Sequence, residues 1–317
     1  MTELNVLIVD DEVNVAPGLR RELEDEFEHS GFDGLNIVIA DTVGLVREIV
    51  DEKSIDLALV DLGLGKAQES GLGAIDILVR TDPKPKIILH TGLHNEADRL
   101  MFIYAAYAWF GEHIATHIPK VGDRSGILKS IVGPVLDGTF IDHGNAFRKE
   151  SSRDLIENVL TTSTDLERYA MLATTQTQEY VSESLRIEIG TLRGWYQRKA
   201  LEIANLLAAA RDTELAPYGD DLERQPSILQ ATAADFQTSK DRDKAWNDLP
   251  PDARKEQHEV KPGVFKFRQR KRAAEEVARF DTGAYNYVST FAKSQSWFWS
   301  DRYVQQRLSE RKPTRST

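Results

Sequence analysis

Five short apolar runs divide the front of this chain: Val6–Val9, Leu35–Ala40, Ile55–Val60, Lys86–His90 and Ile114–Ile118. Each has the length of a strand covered on both faces, where the pattern is continuous rather than alternating. The stretches between them carry helical spacing. Over Val15–Phe27, residues Leu19, Leu23 and Phe27 recur at i, i+4 and i+8. Similar stretches are Val43–Val50, Gly73–Val79, Ala97–Trp109 and Gly126–Leu136. Strands alternating with helices predict an α/β fold, a doubly wound, five-stranded parallel sheet with helices on both faces. In such sheets the polar residues at the carboxyl ends of the strands share one crevice.

Those ends are informative. Asp10 and Asp11 close the first run in NVLIVDDEVN, with Glu12 behind them, and Asp61 closes the third in LALVDLGLG. Thr91 closes the fourth in IILHTG, and Lys120 follows the fifth in HIPKVG. Taken singly, an acidic pair after a strand is most often a solvated loop or a helix cap; the ordered set on successive strand ends argues for a shared site. Adjacent carboxylates repel and need a positive partner. The chain has no cysteine, which rules out disulfides and thiolate metal sites. Clustered oxygen ligands suit a hard divalent cation such as Mg2+, and Lys120 supplies a second positive charge. A carboxylate so placed can act as a nucleophile toward phosphorus and form an acyl phosphate. The metal and the ammonium would offset charge on the transferring group, and a hydroxyl at Thr91 could bond one of its oxygens.

Over roughly residues 4–137 the sequence resembles the receiver domain of two-component response regulators. VLIVDDE matches the acidic-pair motif, LVDLGLG the phosphoacceptor motif, ILHTG the Thr/Ser motif and IPK the Lys motif. The resemblance implies a flavodoxin-like receiver with Asp61 as the phosphorylated residue. It implies that Asp10, Asp11, Asp61 and the backbone carbonyl of Gly63 serve Mg2+, and that Thr91 and Lys120 contact the phosphoryl group. His117 holds the position, three before the Lys, that is usually an aromatic switch residue. The chain departs from the pattern at Val121 and Gly65, where the family usually has proline, and in a longer stretch from Thr91 to Lys120 containing FIYAAYAWF. That stretch bears on the output face, normally the fourth helix and fifth strand. Four histidines fall nearby. His90 is expected in the core or crevice, His117 in packing or switching, and His94 and His113 on the surface.

Charge divides the chain. Residues 1–145 hold 25 acids against 12 bases, whereas residues 261–317 hold 13 bases against 5 acids, so different partners are expected for the two ends. No window approaches the roughly 18 apolar residues of a membrane span, and MTELNV lacks the basic-then-apolar pattern of a signal peptide. A cytoplasmic protein is expected, with no membrane partner. The expected domains are the receiver at 1–140, a linker at 141–153, an all-α output domain at 154–212, a polar connection at 213–260, and a basic, aromatic-rich segment of mixed structure at 261–317.

Within the output domain, helical stretches are expected at Leu166–Ala173 and Gln178–Leu185, the latter capped by Thr177, and from near Glu188 onward. A short helix, a tight turn and a longer helix make a helix-turn-helix pattern. YVSESLRIEIGTL resembles the LuxR-type motif, with Val181, Ser182, Leu185, Ile187, Thr191 and Leu192 at matching positions and Tyr180 and Glu188 as departures. This implies a recognition helix at 189–199. Arg193, Gln197, Arg198 and Lys199 would face DNA, Thr191 would contact phosphate, and Trp195 would pack. Residues 150–212 carry 10 acids and 7 bases, a weak balance for neutralising phosphates. The basic cluster Lys266, Arg268, Arg270, Lys271 and Arg272 is a candidate source of the missing contacts. The aromatics from Tyr285 to Tyr303 are too many to stand exposed, so that segment must pack on something.

The expectation is a response regulator, phosphorylated on Asp61 by a histidine kinase and regulating transcription by binding DNA, with dimerisation as one route of control. The alternative is a receiver-controlled signalling adaptor whose C-terminal half binds protein. No Gly-rich phosphate loop and no Ser/His/Asp set is present, so an enzyme acting on a separate substrate is not expected.

Overall fold

The computed structural model describes residues 3–12, 14–27, 34–65, 69–91, 100–120, 150–160, 163–174, 177–212 and 283–310, with Gly133 and Leu229 besides. The chain divides into two compact units, residues 1–167 with 295–317 and residues 168–294.

The first unit is built on strands β1 (Glu3–Val9), β2 (Gly34–Ala40), β3 (Leu57–Val60), β4 (Lys86–Thr91) and β5 (Ile114–Pro119). All neighbouring strands run parallel, in the order β2-β1-β3-β4-β5. That is the flavodoxin-like strand order, with its topological switch between β1 and β3. Helices α1 (Val15–Phe27), α2 (Val43–Glu52), α3 (Gly71–Leu78) and α4 (Leu100–Phe110) connect them. One side of the core joins Val6, Ile8, Leu57, Leu59, Ile88 and Ile118 of the sheet to Leu19 and Leu23 of α1. The two leucines lie four apart, so they share one helix face. Helix α2 starts at Thr42, whose hydroxyl accepts from the Leu45 amide at 3.3 Å. The helix expected at Gly126–Leu136 lies outside the described residues, as does Val121.

Helix α4, LMFIYAAYAWF, is buried almost all round, from Leu100 through Tyr107 and at Phe110. A helix apolar on every side must be covered on every side. Besides α3 and the sheet, where His117 of β5 meets Tyr107, two further elements cover it among the described residues. Helix α5 (Glu150–Val159) packs on α4; it begins inside the stretch expected to be a linker. The remaining cover comes from the chain's own C-terminal helices, labelled in chain order α10 (Ser296–Ser300) and α11 (Arg302–Glu310). Phe298 stands edge-on to Phe102 at 5.0 Å, and Tyr303 lies 6.1 Å from Phe110. The Arg307 guanidinium sits 4.8 Å from the centre of the Trp109 ring. Each aromatic pair adds about 0.5–1.5 kcal/mol beyond its buried area. Two sequence oddities, an all-apolar α4 and an aromatic tail, thus cover each other.

The units therefore do not follow the boundaries read from charge. The segment expected as one block at 261–317 is split, with 284–294 in the second unit and 295–310 in the first. The basic cluster at 266–272 and nearly all of the polar connection lie outside the described residues.

Asp301, between α10 and α11, is fully buried. Burial pushes its pKa up from 3.8 to about 6, against the opposing hydrogen bond from the Val304 amide; the Ser70 hydroxyl and Glu69 lie beside it. A folded-state pKa above the unfolded value means the charged form is penalised on folding. The penalty is complete above about pH 6 and relieved as the pH falls toward 3.8. Asp301→Asn keeps an oxygen for the Val304 amide and removes the charge. It is expected to stabilise the protein by about 1–3 kcal/mol at pH 7.5 and by little at pH 4. Denaturant melts of both proteins at the two pH values check this; an equal effect at both would contradict it.

The described elements of the second unit are all helices. It takes in the later part of α6 (Ser163–Thr174), then α7 (Gln178–Ser184), α8 (Ile189–Asp212) and α9 (Ala284–Ser294). Thr177 caps α7 as expected, accepting from the Tyr180 amide at 3.2 Å. The turn into α8 passes through Arg186 at φ 52. Ser182 locks that turn, its hydroxyl donating to the Ile187 carbonyl at 2.6 Å while the Ile187 amide donates back to the Ser182 carbonyl. Tyr169, Trp195, Tyr196 and Phe291 are buried together where α6, α8 and α9 meet. Trp195 packs, as its position in the motif implies.

Candidate functional site

Sheet register decides which residues meet. Val9 pairs with Val60, Val60 with Leu89, and Thr91 with Pro119. The next residue of each strand therefore emerges at one rim, which brings Asp10, Asp61, His90, Thr91 and Lys120 together. Backbone bonds fix the exits. The Asp10 amide donates to Ala40, the Asp61 amide to Val9 at 2.8 Å, and the Lys120 amide to Thr91 at 3.2 Å.

The Lys120 ammonium is the hub. It donates to Asp61 Oδ2 at 2.8 Å and to Glu12 Oε1 at 3.2 Å, and it lies 3.0 Å from Asp10 Oδ2. Asp10, Asp61 and Lys120 are buried and Glu12 is half exposed. Burial raises the Asp10 pKa to about 6, with the Asp61 charge adding to it and Lys120 opposing. Burial works to lower Lys120, but the charges of Asp61 and Asp10 outweigh it and hold Lys120 above its ordinary value.

Carboxylate oxygens of Asp10, Asp11 and Asp61 lie within 4.8 Å of one another. Three carboxylates, Asp10, Glu12 and Asp61, meet one ammonium and Asp11 lies beside them, an excess of negative charge of which Asp10 and Asp61 are held out of water. With oxygen donors only, this set fits a hard divalent cation such as Mg2+. Gly63 is buried in the loop directly after Asp61. The Thr91 hydroxyl is buried, and among the described residues it has no hydrogen-bond partner. A buried hydroxyl in that state is costly unless something arrives to bond it.

The departures from the motif acquire reasons. The Gly65 amide donates to Asp11 Oδ2 at 2.9 Å. Proline has no N–H to give, so the usual proline would release Asp11. His117 is buried on β5, and its Nδ1 shares a 3.0 Å hydrogen bond with the Tyr107 hydroxyl of α4. The residue expected as a switch is thus tied to the all-apolar helix. His90 is buried 3.9 Å from Asp10, in the crevice as expected, and His113 is part-exposed. His94 lies outside the described residues. Glu12 as a third partner of Lys120 and the Gly65 amide escaped the sequence, since neither follows from strand-end position.

The expected DNA face is less uniform. Thr191, Arg193, Gln197 and Arg198 are exposed on α8. Lys199 is not with them. It is fully buried and pairs with Glu202 at 2.8 Å. The reason is helical geometry. Lys199 lies four residues from Trp195 and so on the face that packs, beside buried Ala200 and Ile203. Arg198 approaches the same Glu202 at 3.7 Å while staying exposed.

Comparison with solved structures returns response regulators. One is an RcsB–DNA complex, 17% identical, covering 63% of this chain and 92% of that one, with a TM-score of 0.44. Another, two RcsB dimers bound to two parallel DNAs, is 18% identical over 60% of this chain and 86% of that one, TM-score 0.39. A CheY-like receiver domain protein from Methanospirillum hungatei is 23% identical over 43% of this chain and 96% of its own, TM-score 0.34. No family model matches the chain, and no curated protein sequence matches it. The strand order decides the architecture. The first unit has the flavodoxin-like fold. Among the described residues, no helix is long and apolar enough to cross a membrane.

Proposed function

We propose that this chain is a response regulator. Asp61 accepts a phosphoryl group from a histidine kinase, and the helix-turn-helix at 178–199 binds DNA under control of the receiver. The observation that carries the reading is one ammonium bridging Asp61 and Asp10 at a buried rim, with a hydroxyl on the neighbouring strand that has no partner among the described residues.

In this reading an Asp61 carboxylate oxygen attacks phosphorus while the bond from phosphorus to the donor's imidazole nitrogen breaks, the electron pair leaving with the nitrogen. Lys120, already at Asp61, neutralises charge on the incoming phosphoryl oxygens, and Thr91 donates to one of them. Mg2+, held by Asp10, Asp11, Asp61 and the Gly63 carbonyl, would supply the charge neutralisation that one lysine cannot give four carboxylates. The new bonds to Thr91 and Lys120 would bias two pre-existing arrangements of the receiver. A cytoplasmic setting and a dimeric active form accord with this role. Thr191, Arg193, Gln197 and Arg198 would make the DNA contacts.

The adaptor reading rests on a specific observation as well. With Lys199 buried, the exposed basic charge of α8 is smaller than its sequence promised. Salt dependence separates the two, since a DNA binder loses affinity with a log–log slope of about −0.9 per phosphate contacted.

The test uses full-length protein with acetyl phosphate and Mg2+. Intact-mass measurement should show one added phosphoryl group, peptide mapping should place it on Asp61, and Asp61→Asn or chelation should abolish it. Modification elsewhere, or none, would end the phosphoacceptor reading. DNA binding insensitive to salt would leave the adaptor.

A further inference from the structure

Among the described residues, 295–310 touch the first unit at four places around its site. The first contact is at the loop after Asp61. A Cβ at Gly65 would stand 3.8 Å from the Trp297 ring, so the indole lies against the residue whose amide holds Asp11. The second is at the far end of that loop, where buried Asp301 lies beside Ser70. Ser70 precedes Gly71, whose amide donates to the Leu62 carbonyl at 3.2 Å. The third is at the start of α4, which follows Thr91 in the chain; the Met101 amide donates to Gln295 Oε1 at 3.2 Å in a buried contact. The fourth is the outer face of α3, where the Tyr303 hydroxyl donates to Asp76 at 3.1 Å.

These are contacts to both ends of the loop that carries Asp61 and to the N-terminus of the helix that follows Thr91. Three of the four are polar. Two buried polar side chains, Gln295 and Asp301, sit among the aromatics, which gives a docked segment that is specific without being as tight as an all-apolar one. Gln295 directly follows Ser294, the last residue of α9 in the second unit.

We propose that Gln295–Glu310 is a latch that reads the state of Asp61: docked on α3, α4, Gly65 and Ser70 when Asp61 is unmodified, and loosened when the residues after Asp61 rearrange around a phosphoryl group. This rests on the phosphoacceptor reading above. In the modified state Thr91 and Lys120 would turn to the phosphoryl oxygens, and the end of β3 with residues 62–65 would shift with Asp61, loosening the Gly65 amide from Asp11 and Gly65 from the Trp297 ring. The latch then yields, and the first residue beyond the second unit is no longer clamped to the receiver.

Hydrogen exchange on full-length protein, with and without beryllofluoride and Mg2+, tests it, with acetyl phosphate labelling of Asp61 run in parallel. Amides of 296–310 are expected to exchange about tenfold faster with beryllofluoride, with β1 and β3 unchanged and no effect in Asp61→Asn. Coupling is reciprocal, so Trp297→Ala is expected to bind beryllofluoride about tenfold more tightly, and Trp297→Phe to stay near the parent. If Asp61 is labelled but exchange in 296–310 is unchanged or slowed, the latch is wrong and the phosphoacceptor reading stands. Unchanged beryllofluoride affinity in a folded Trp297→Ala also overturns the latch. If Asp61 takes neither reagent, both fall.

Discussion

Lys120→Met is expected to lower the free energy of unfolding by about 3–5 kcal/mol at neutral pH. The ammonium is buried and touches Asp10, Glu12 and Asp61 within 3.2 Å. Methionine fills much of the space and contributes no charge. Asp10 and Asp61 would then lie buried at the same rim without the ammonium that offsets their charge. Removing one partner of a buried cluster costs more than the cluster contributes, because the remaining charges stay desolvated. Two modifiers follow. The loss should shrink at pH 5, since Asp10 already titrates near 6 in the parent and would rise further without its cation. The loss should also shrink with millimolar Mg2+, because the cation would take over the neutralisation, whereas Ca2+-free, Mg2+-free buffer should show it in full. Denaturant midpoints in four conditions, two pH values with and without Mg2+, give the answer. A variant as stable as the parent at pH 7.5 without metal would mean that the carboxylates are not held as described.

Gly71→Ala is expected to destabilise by about 1–3 kcal/mol or more and to abolish phosphoryl uptake at Asp61. A Cβ there would be built into the Asp61 carbonyl oxygen, with the Asp61 carbonyl carbon and Val60 Cγ1 each at 2.9 Å. Backbone cannot rotate away as a side chain can. Either α3 lifts off the sheet or the end of β3 moves, and both displace Asp61. The requirement at Gly71 is close approach of two backbones, one of the uses only glycine serves. Gly44 is the control. It lies in the first turn of α2 with nothing within 4 Å of a Cβ, so Gly44→Ala should be neutral or stabilise by up to about 1 kcal/mol. Melts of both variants and acetyl phosphate labelling of each separate the site effect from simple loss of stability. A Gly71→Ala protein that melts like the parent and labels normally would sink the argument.

Much of the first unit was legible because its rules are local. Val6–Val9, Leu35–Ala40 and Lys86–His90 lie within observed strands and Val15–Phe27 matches α1, because a strand covered on both faces and a helix with one apolar face leave distinct periodicities. The site was legible for a related reason. In a parallel sheet, consecutive strand ends share a rim, so Asp10, Asp61, Thr91 and Lys120 converge once the strands are placed. The misses are of another kind. The first four residues of the helix Glu150–Val159 were read as linker, since Glu150, Ser151, Ser152 and Arg153 carry no apolar signal and the buried Ile156 and Val159 lie beyond them. Lys199 was assigned to an exposed face because charge suggested it, whereas its register beside Trp195 turned it inward.

By itself the sequence determined the strand–helix alternation, the set of charged residues at the strand ends and the presence of aromatics in the tail that could not remain in water. Only the tertiary structure decided where that tail goes, that Gly65 rather than a proline is needed to hold Asp11, and that Gly71 must have no side chain. The physical reason is range. Periodicity and strand-end chemistry are set by neighbours within a few residues. The contacts of Trp297 with Gly65 and of Gln295 with Met101 join residues about two hundred positions apart, and no local pattern encodes which apolar surface meets which.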